Sequence, residues 1–451
     1  MQKTEIKDFT KGNITQQLIV FAWPLFLSNM LQVVYNMVDM VIVGNRLGKV
    51  GISAVAVGGD VSNFLTFIAI GFSNAGQVLI AKYIGAKKQD KISKFVGTMF
   101  SFLFTCAIIL SVAGLIFQDN ILVLMNTPAE SYAGAKEYSL VCMSGLIFIY
   151  GYNIVSAILR GMGDSKHPFI FISIAAVMNL ILDIVFVLKL DMGTSGAALA
   201  TVISQATSFL CCAVFLIKNK ERFALSVTIR DFLKWDKEML GDLVKLGTPM
   251  AIKSASIQIS KLFVNSWINS YGIAVSAFAG IANKVSSISN LISAALNTAG
   301  STMVGQNIAA REYERVKSIL KNIAAISLMI AAIISLVIWF FPATVFGIFT
   351  DDGAVMEIAL KYVPIAVLVF FGAAMRAIMN ALINGSGNHR INFATAILDG
   401  IVLRIGLSLL FGLTLGMKHY GFWLGDALAG FTPFWIGLVF YFTGLWKKGK
   451  E

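Results

Sequence analysis

Asp39, Asn179, Asp183 and Thr201 are polar residues set inside long apolar runs. An ionisable side chain in hydrocarbon is costly, so each such group is a candidate for function. If the runs are membrane helices, three of these residues share one depth. Asp39 lies about five residues before the outer end of the first run, Asp183 about six before that of the fifth, and Thr201 about six or seven past the outer start of the sixth, at roughly 1.5 Å per residue. Asn179 stands four residues before Asp183, so both project from one helix face. Two carboxylates, an amide and a hydroxyl at common depth offer oxygen ligands to Na+. They can equally hold a proton, because a low dielectric and a second carboxylate both disfavour the ionised form. The plain alternative is that they only join helices by hydrogen bonds.

The second half of the chain carries the opposite charge within its runs. Lys253 and Lys261 are eight apart on nearly one face of the seventh run, and Lys284, Arg376 and Arg404 fall in the eighth, tenth and eleventh. Asp399 and Asp426 can neutralise only two of these five. Snorkelling or internal pairing accounts for such residues structurally; a positively biased cavity wall, favouring anionic or zwitterionic substrates, accounts for them functionally. Asp60 is a further acidic residue within a run. Pro24 lies mid-way along the first run, where it removes a backbone hydrogen bond and kinks the helix; the kink is either static or a hinge that lets the Asp39 region move.

These residues need membrane helices to position them, and the composition supplies such helices. The 451-residue chain is 57% hydrophobic and 13% charged, with a mean hydropathy of +0.78. A soluble domain carries about a quarter charged residues. A span needs roughly 20 apolar residues, and the runs 16–44, 52–83, 95–118, 134–160, 167–189, 195–217, 243–270, 275–305, 318–342, 355–384, 391–415 and 421–446 meet that length. The predicted class is an all-α integral membrane protein of twelve transmembrane helices.

The net charge of +12 reads as topology and not as nucleic-acid binding. With the N-terminus in the cytoplasm, about 25 basic residues fall inside and about 6 outside, so both termini are expected to be cytoplasmic. The polar stretch Lys218–Asp242 holds an amphipathic piece, Asp231–Leu240, read as a surface linker helix. It sets the expected divisions: an N-terminal lobe 1–218, a cytoplasmic linker 219–242 and a C-terminal lobe 243–451.

The halves repeat. RGMGDSKHPF at Arg160–Phe169 resembles NGSGNHRINF at Asn384–Phe393, KYIGAKK at Lys82–Lys88 matches QNIAARE at Gln306–Glu312, Pro24 matches Pro249 and Gly196 matches Gly421. The offset is about 224 or 225 at all four places. Six spans per half insert both halves the same way up, which predicts a pseudo-twofold axis along the membrane normal.

Other chemistry is missing. Cys106, Cys142, Cys211 and Cys212 lie in apolar runs without a CxxC spacing and read as small buried residues. His167, His389 and His419 sit near span ends with no metal-ligand spacing. There is no phosphate-binding GxxxxGK[ST] loop and no HExxH or GxSxG motif. Met1–Asn13 is polar, and no cleavable leader is expected.

Trp23–Gly48, IGAKK, LRGMGDSKHP, GTSGAALATVISQ (Gly193–Gln205) and MVGQNIAARE (Met303–Glu312) resemble multidrug and toxic compound extrusion (MATE) transporters in order and spacing, over essentially the whole chain. The resemblance implies two six-helix lobes in a V shape around a central cavity, and export by antiport with H+ or Na+. In the branch similar to DNA-damage-inducible protein F, it implies an N-lobe ion-coupling site matched here by Asp39, Asn179, Asp183 and Thr201, with Pro24 as the bending proline. Gln32, Tyr35, Asn153, Gln258, Lys284, Arg376 and Arg404 are the candidates for the substrate cavity. The branch similar to norfloxacin exporters adds acidic residues in the C-terminal lobe; here Gln258, lysines and Arg376 stand there instead, which argues against both a second coupling site and a cationic substrate.

The expected function is therefore an ion-coupled exporter of small amphipathic compounds by alternating access, in the inner (cytoplasmic) membrane, acting as a single chain without a cofactor and without enzymatic activity. The alternative is a flippase of the same superfamily for an anionic lipid-linked substrate.

Overall fold

The computed structural model describes residues 6–226 and 235–447. Lys3, Arg230, Lys234, Lys448 and Lys450, and the part of the expected linker helix from 231 to 234, lie outside the described residues. Within them the chain is helical, without strands. Eight helices are long and apolar enough to cross a membrane, and a ninth crossing comes from the pair Ala129–Ser144 and Leu146–Gly161, bent by 49° at Gly145.

Ile14–Gly85 is assigned as one helix of 72 residues but leaves helical geometry at Gly48, with φ 63° and ψ −158°. A positive φ suits glycine, which lacks a Cβ, and the break makes two spans, 14–47 and 49–85. Lys237–Asn269 and Ile273–Ala309 are equally long and more polar. With Asp90–Ile116, the bent pair, Lys166–Lys189, Gly193–Lys218, Tyr313–Phe340, Gly353–Ser386, His389–Thr414 and Lys418–Phe442, the spans number twelve among the described residues. They are numbered here in chain order. The protein is a multi-pass all-α membrane protein.

The chain packs as two compact units, one of Met1–Asp8 with Trp23–Gly247, the other of Phe9–Ala22 with Thr248–Glu451. This division departs from the linear one at two places. Phe9–Ala22 joins the second unit because Phe9 donates its N–H to Gln306 at 2.9 Å and accepts from Arg315 at 3.0 Å, and Phe9, Leu18 and Phe21 are fully buried. The seventh span begins at Lys237, earlier than its apolar run. Asp236 accepts from the N–H of Met239 at 2.9 Å as a helix cap and bridges to Lys94 in the first unit at 2.6 Å.

Lipid tails are as apolar as leucine, so close contact must hold these helices together. The twelfth span illustrates this: a Cβ at Gly421 or Gly425 would run into the backbone of Phe411 or Ser408 on the eleventh. In the second unit Phe278 packs edge-on against Tyr362, Trp423 and Phe346, with ring centroids 5.1, 5.4 and 5.5 Å away.

Candidate functional site

In the first unit, five spans meet at one apolar plug, the second through Val55. Val43, Val187 and Ala197 are fully buried there with Tyr138 and Cys142. Each of the first three stands one helical turn from a polar residue: Val43 after Asp39, Val187 after Asp183 and Ala197 before Thr201. The plug thus lies against a polar layer.

Asp39 is 7% exposed, Asn179 3% and Asp183 not at all. Asp39 and Asp183 lie within electrostatic reach of each other. One oxygen of Asp39, both oxygens of Asp183 and the amide nitrogen of Asn179 are buried without a hydrogen-bond partner. Among the described residues no lysine or arginine pairs with either carboxylate. Asp39 also acts on Tyr35, Tyr138 and Cys142. Tyr138 lies near Thr201 and Tyr35 near Gln205. Asp183 ends the α-helical part of the fifth span, which continues as a π-helical turn, Ile184–Lys189; such wide turns recur at functional sites. Among the described residues no three His, Cys, Asp or Glu side chains group as metal ligands. A cation held here would draw on the amide and hydroxyl oxygens as well, and the donor set suits a hard monovalent ion or a proton.

Pro24 lies inside the first span, and Ser28 donates to its carbonyl at 2.8 Å. The division of the chain into its two units falls within this helix, between Ala22 and Trp23.

The second unit holds a buried charge cluster. Arg404, 2% exposed, donates to Asp399 at 2.9 Å and pairs with Asp426. Both carboxylates therefore go to one arginine. Lys253 donates to Asn380 at 2.6 Å. Lys261, Arg376, Arg404 and Asp426 line a small polar cavity of about 50 Å³, together with Asn265, Asn283, Ser286 and Asn290. A larger apolar cavity, about 490 Å³, lies in the first unit between Phe100, Phe104, Val155, Phe209 and Leu216, with Lys220 at its edge; none of the four predicted coupling residues lines it.

The MatE family model matches residues 24–185 and again 249–410. The chain belongs to the MatE family. This MatE protein is 29% identical to the probable multidrug resistance protein YoeA of Bacillus subtilis, over 97% of this chain and 96% of the relative. It is also 29% identical to the probable multidrug resistance protein YpnP of the same organism, over 98% of each. Its fold matches an outward-facing multidrug resistance MATE family transporter of the MOP superfamily with a TM-score of 0.88, at 22% identity over 100% of each chain.

The two matched segments are spaced by 225 residues at both ends, the offset of the internal repeats. The π turn Leu410–Thr414 in the eleventh span repeats that at Ile184–Lys189 in the fifth. At this offset Arg404 stands where the first half has Asn179, Asp426 where it has Thr201, Val264 where it has Asp39 and Ser408 where it has Asp183.

The remaining candidates of this MatE protein are scattered. Gln32 and Tyr35 are half-buried on the Asp39 helix, and Asn153 donates back to its own helix at Ile149, 2.8 Å. Gln258, Lys284 and Asp60 are exposed, and none of them lines either cavity. Sequence reasoning missed Tyr138, Cys142 and Gln205, all beside Asp39 or its neighbours. Tyr138 and Cys142 sit one turn apart on the fourth span, and their only signal was a tyrosine and a cysteine on one face of an apolar run.

Proposed function

We propose that this MatE protein is a secondary active exporter of small amphipathic compounds, driven by H+ or Na+ entering through the first unit. The observation that carries this reading is the buried pair Asp39 and Asp183, with Asn179 beside it and, among the described residues, no paired counter-charge. Two carboxylates in a low dielectric cannot both stay ionised at little cost. Asp39 and Asp183 are the groups that accept the proton or ligate the ion, and Asn179 and Thr201 supply further oxygens. Neutralisation removes the repulsion between the two aspartates and lets the first span shift at Pro24, where a backbone hydrogen bond is missing. Tyr138 transmits the state of Asp39 to Thr201 on the sixth span.

Alternating access of two lobes, 1–218 and 243–451 joined by 219–242, then carries the substrate outward. The names of the Bacillus relatives, probable multidrug resistance proteins, support drugs or toxins as cargo, and Gln32, Tyr35, Asn153, Gln258, Lys284, Arg376 and Arg404 are the substrate contacts in this reading. The protein acts in the cytoplasmic membrane with both termini inside, as a single chain.

Uptake of a fluorescent amphipathic dye into inside-out proteoliposomes tests the proposal, with proton and sodium gradients imposed separately. Gradient-driven uptake in the wild type, abolished by Asp39→Asn, is expected, and the effective gradient names the ion. No uptake of any dye under either gradient would overturn the exporter reading in favour of a flippase for an anionic lipid-linked substrate.

A further inference from the structure

The two halves of this chain differ in charge at matching places, and Asp426 stands where the first half has Thr201. Where the first half sets Asp39 and Asp183, the second sets the neutral Val264 and Ser408; where the first sets Asn179, the second sets Arg404. Around Arg404, four cations and two carboxylates interact: Lys253, Lys261, Arg376 and Arg404 against Asp399 and Asp426. Both carboxylates are bonded to Arg404, and Lys253 is bonded to Asn380. Among the described residues Lys261 and Arg376 make no ion pair or hydrogen bond, although both line the cavity, and the Nε of Arg376 is buried without a partner. Asn265, Asn283, Ser286 and Asn290 add neutral donors to the same wall.

Lys261 and Arg376 are half-buried, and a cation withdrawn from water without a bonded counter-ion is costly unless an anion completes it. A water needs about 10–15 Å³ of such space, so about 50 Å³ admits a group of three or four heavy atoms. That is the size of a carboxylate or a sulfonate, and far below that of a whole drug-sized molecule.

We propose that this cavity is an anion subsite, in which Lys261 and Arg376 bind the carboxylate or sulfonate group of the exported molecule while Arg404, held by Asp399 and Asp426, fixes the wall. The inference rests on the exporter reading and names its substrate class: amphipathic organic acids. The first unit then takes the cation and the second the anionic cargo group.

The test is a binding measurement without any gradient, so it is independent of the coupling ion. Thermal unfolding of the purified full-length protein is followed with three probes that share one body: 1-naphthoate, 1-naphthylmethanol and 1-naphthylmethylammonium. Naphthoate alone is expected to raise the melting temperature of the wild type. Lys261→Gln and Arg376→Gln, each first shown to unfold cooperatively without ligand, should weaken its apparent affinity at least about tenfold, the scale of one charge-assisted hydrogen bond. Equal stabilisation by the ammonium probe, or naphthoate binding unchanged in both variants, overturns the subsite. Stabilisation by sodium chloride against sodium gluconate, lost in both variants and without any naphthoate effect, assigns the cavity to an inorganic anion and overturns its role in substrate choice. Naphthoate binding with no dye export would leave the subsite standing and remove the drug-export reading alone.

Discussion

Asp183 lies one turn beyond Asn179 on the fifth span, and both side chains end in buried polar atoms that have no hydrogen-bond partner among the described residues. An arrangement serving only to join helices would spend those atoms on a neighbouring helix. Asp183→Asn removes the charge and no hydrogen bond. It should leave the melting temperature within about 2 °C of the wild type or above it, while lowering gradient-driven transport at least tenfold. A fall of more than about 5 °C, which for a unit of this size corresponds to more than about 1 kcal/mol, would show that the carboxylate is structural.

The plug of Val43, Val187 and Ala197 separates the carboxylates from one end of the first unit. Val187→Asn introduces a polar group that water can follow. A pH-sensitive dye inside proteoliposomes should report a several-fold faster passive proton leak without substrate. Val187→Leu overfills the same site, at a cost of about 1–3 kcal/mol, and should destabilise without leaking. Equal leakage from both would mean that the plug seals nothing.

Among the described residues Arg404 is the one ion-pair partner of two carboxylates, one of them fully buried. Arg404→Met strands both and should cost about 3–5 kcal/mol, the loss typical of breaking a buried pair from one side. Replacing all three residues together, with Asp399→Leu and Asp426→Leu, should recover most of that loss in chemical unfolding. No recovery would mean that the cluster stabilises by attraction and not merely by mutual compensation.

At the start of the seventh span the Lys94 ammonium and the cap to Met239 hold the Asp236 carboxyl below its usual value of 3.8. A carboxyl whose folded-state pKa is depressed stabilises the fold above its unfolded pKa, and the benefit is lost as pH falls through the folded value. Melting temperature should therefore drop between about pH 5 and pH 3 in the wild type, and less so in Asp236→Asn. Identical pH profiles would show that the bridge is too solvated to matter.

The twelve spans could be read from the sequence because apolar length alone specifies them, even where Gly145 bends one span and Gly48 reduces an expected loop to a single residue. Depth counting along three separate helices predicts Asp39, Asp183 and Thr201 at one level, and in the structure Asp39 and Asp183 are buried within electrostatic reach of each other. The pairing inside the second unit was not. Asp399 and Arg404 are five apart, a spacing that points away on an α-helix. They meet because the π turn Leu398–Val402 widens the helix between them, and no sequence pattern announces such a turn. Tyr138 and Gln205 escaped notice for a different reason: their importance comes from neighbours on other spans.

The one-residue turn at Gly48 also bears on how the protein is made. Between Asp39 and Asp60 the charged residues are Arg46 and Lys49, and no polar loop extends beyond them. The first two spans can therefore enter the bilayer as one helical hairpin during synthesis, with two basic side chains as the main electrostatic barrier to be carried across. Asp39 then arrives in hydrocarbon at the same moment as the second span.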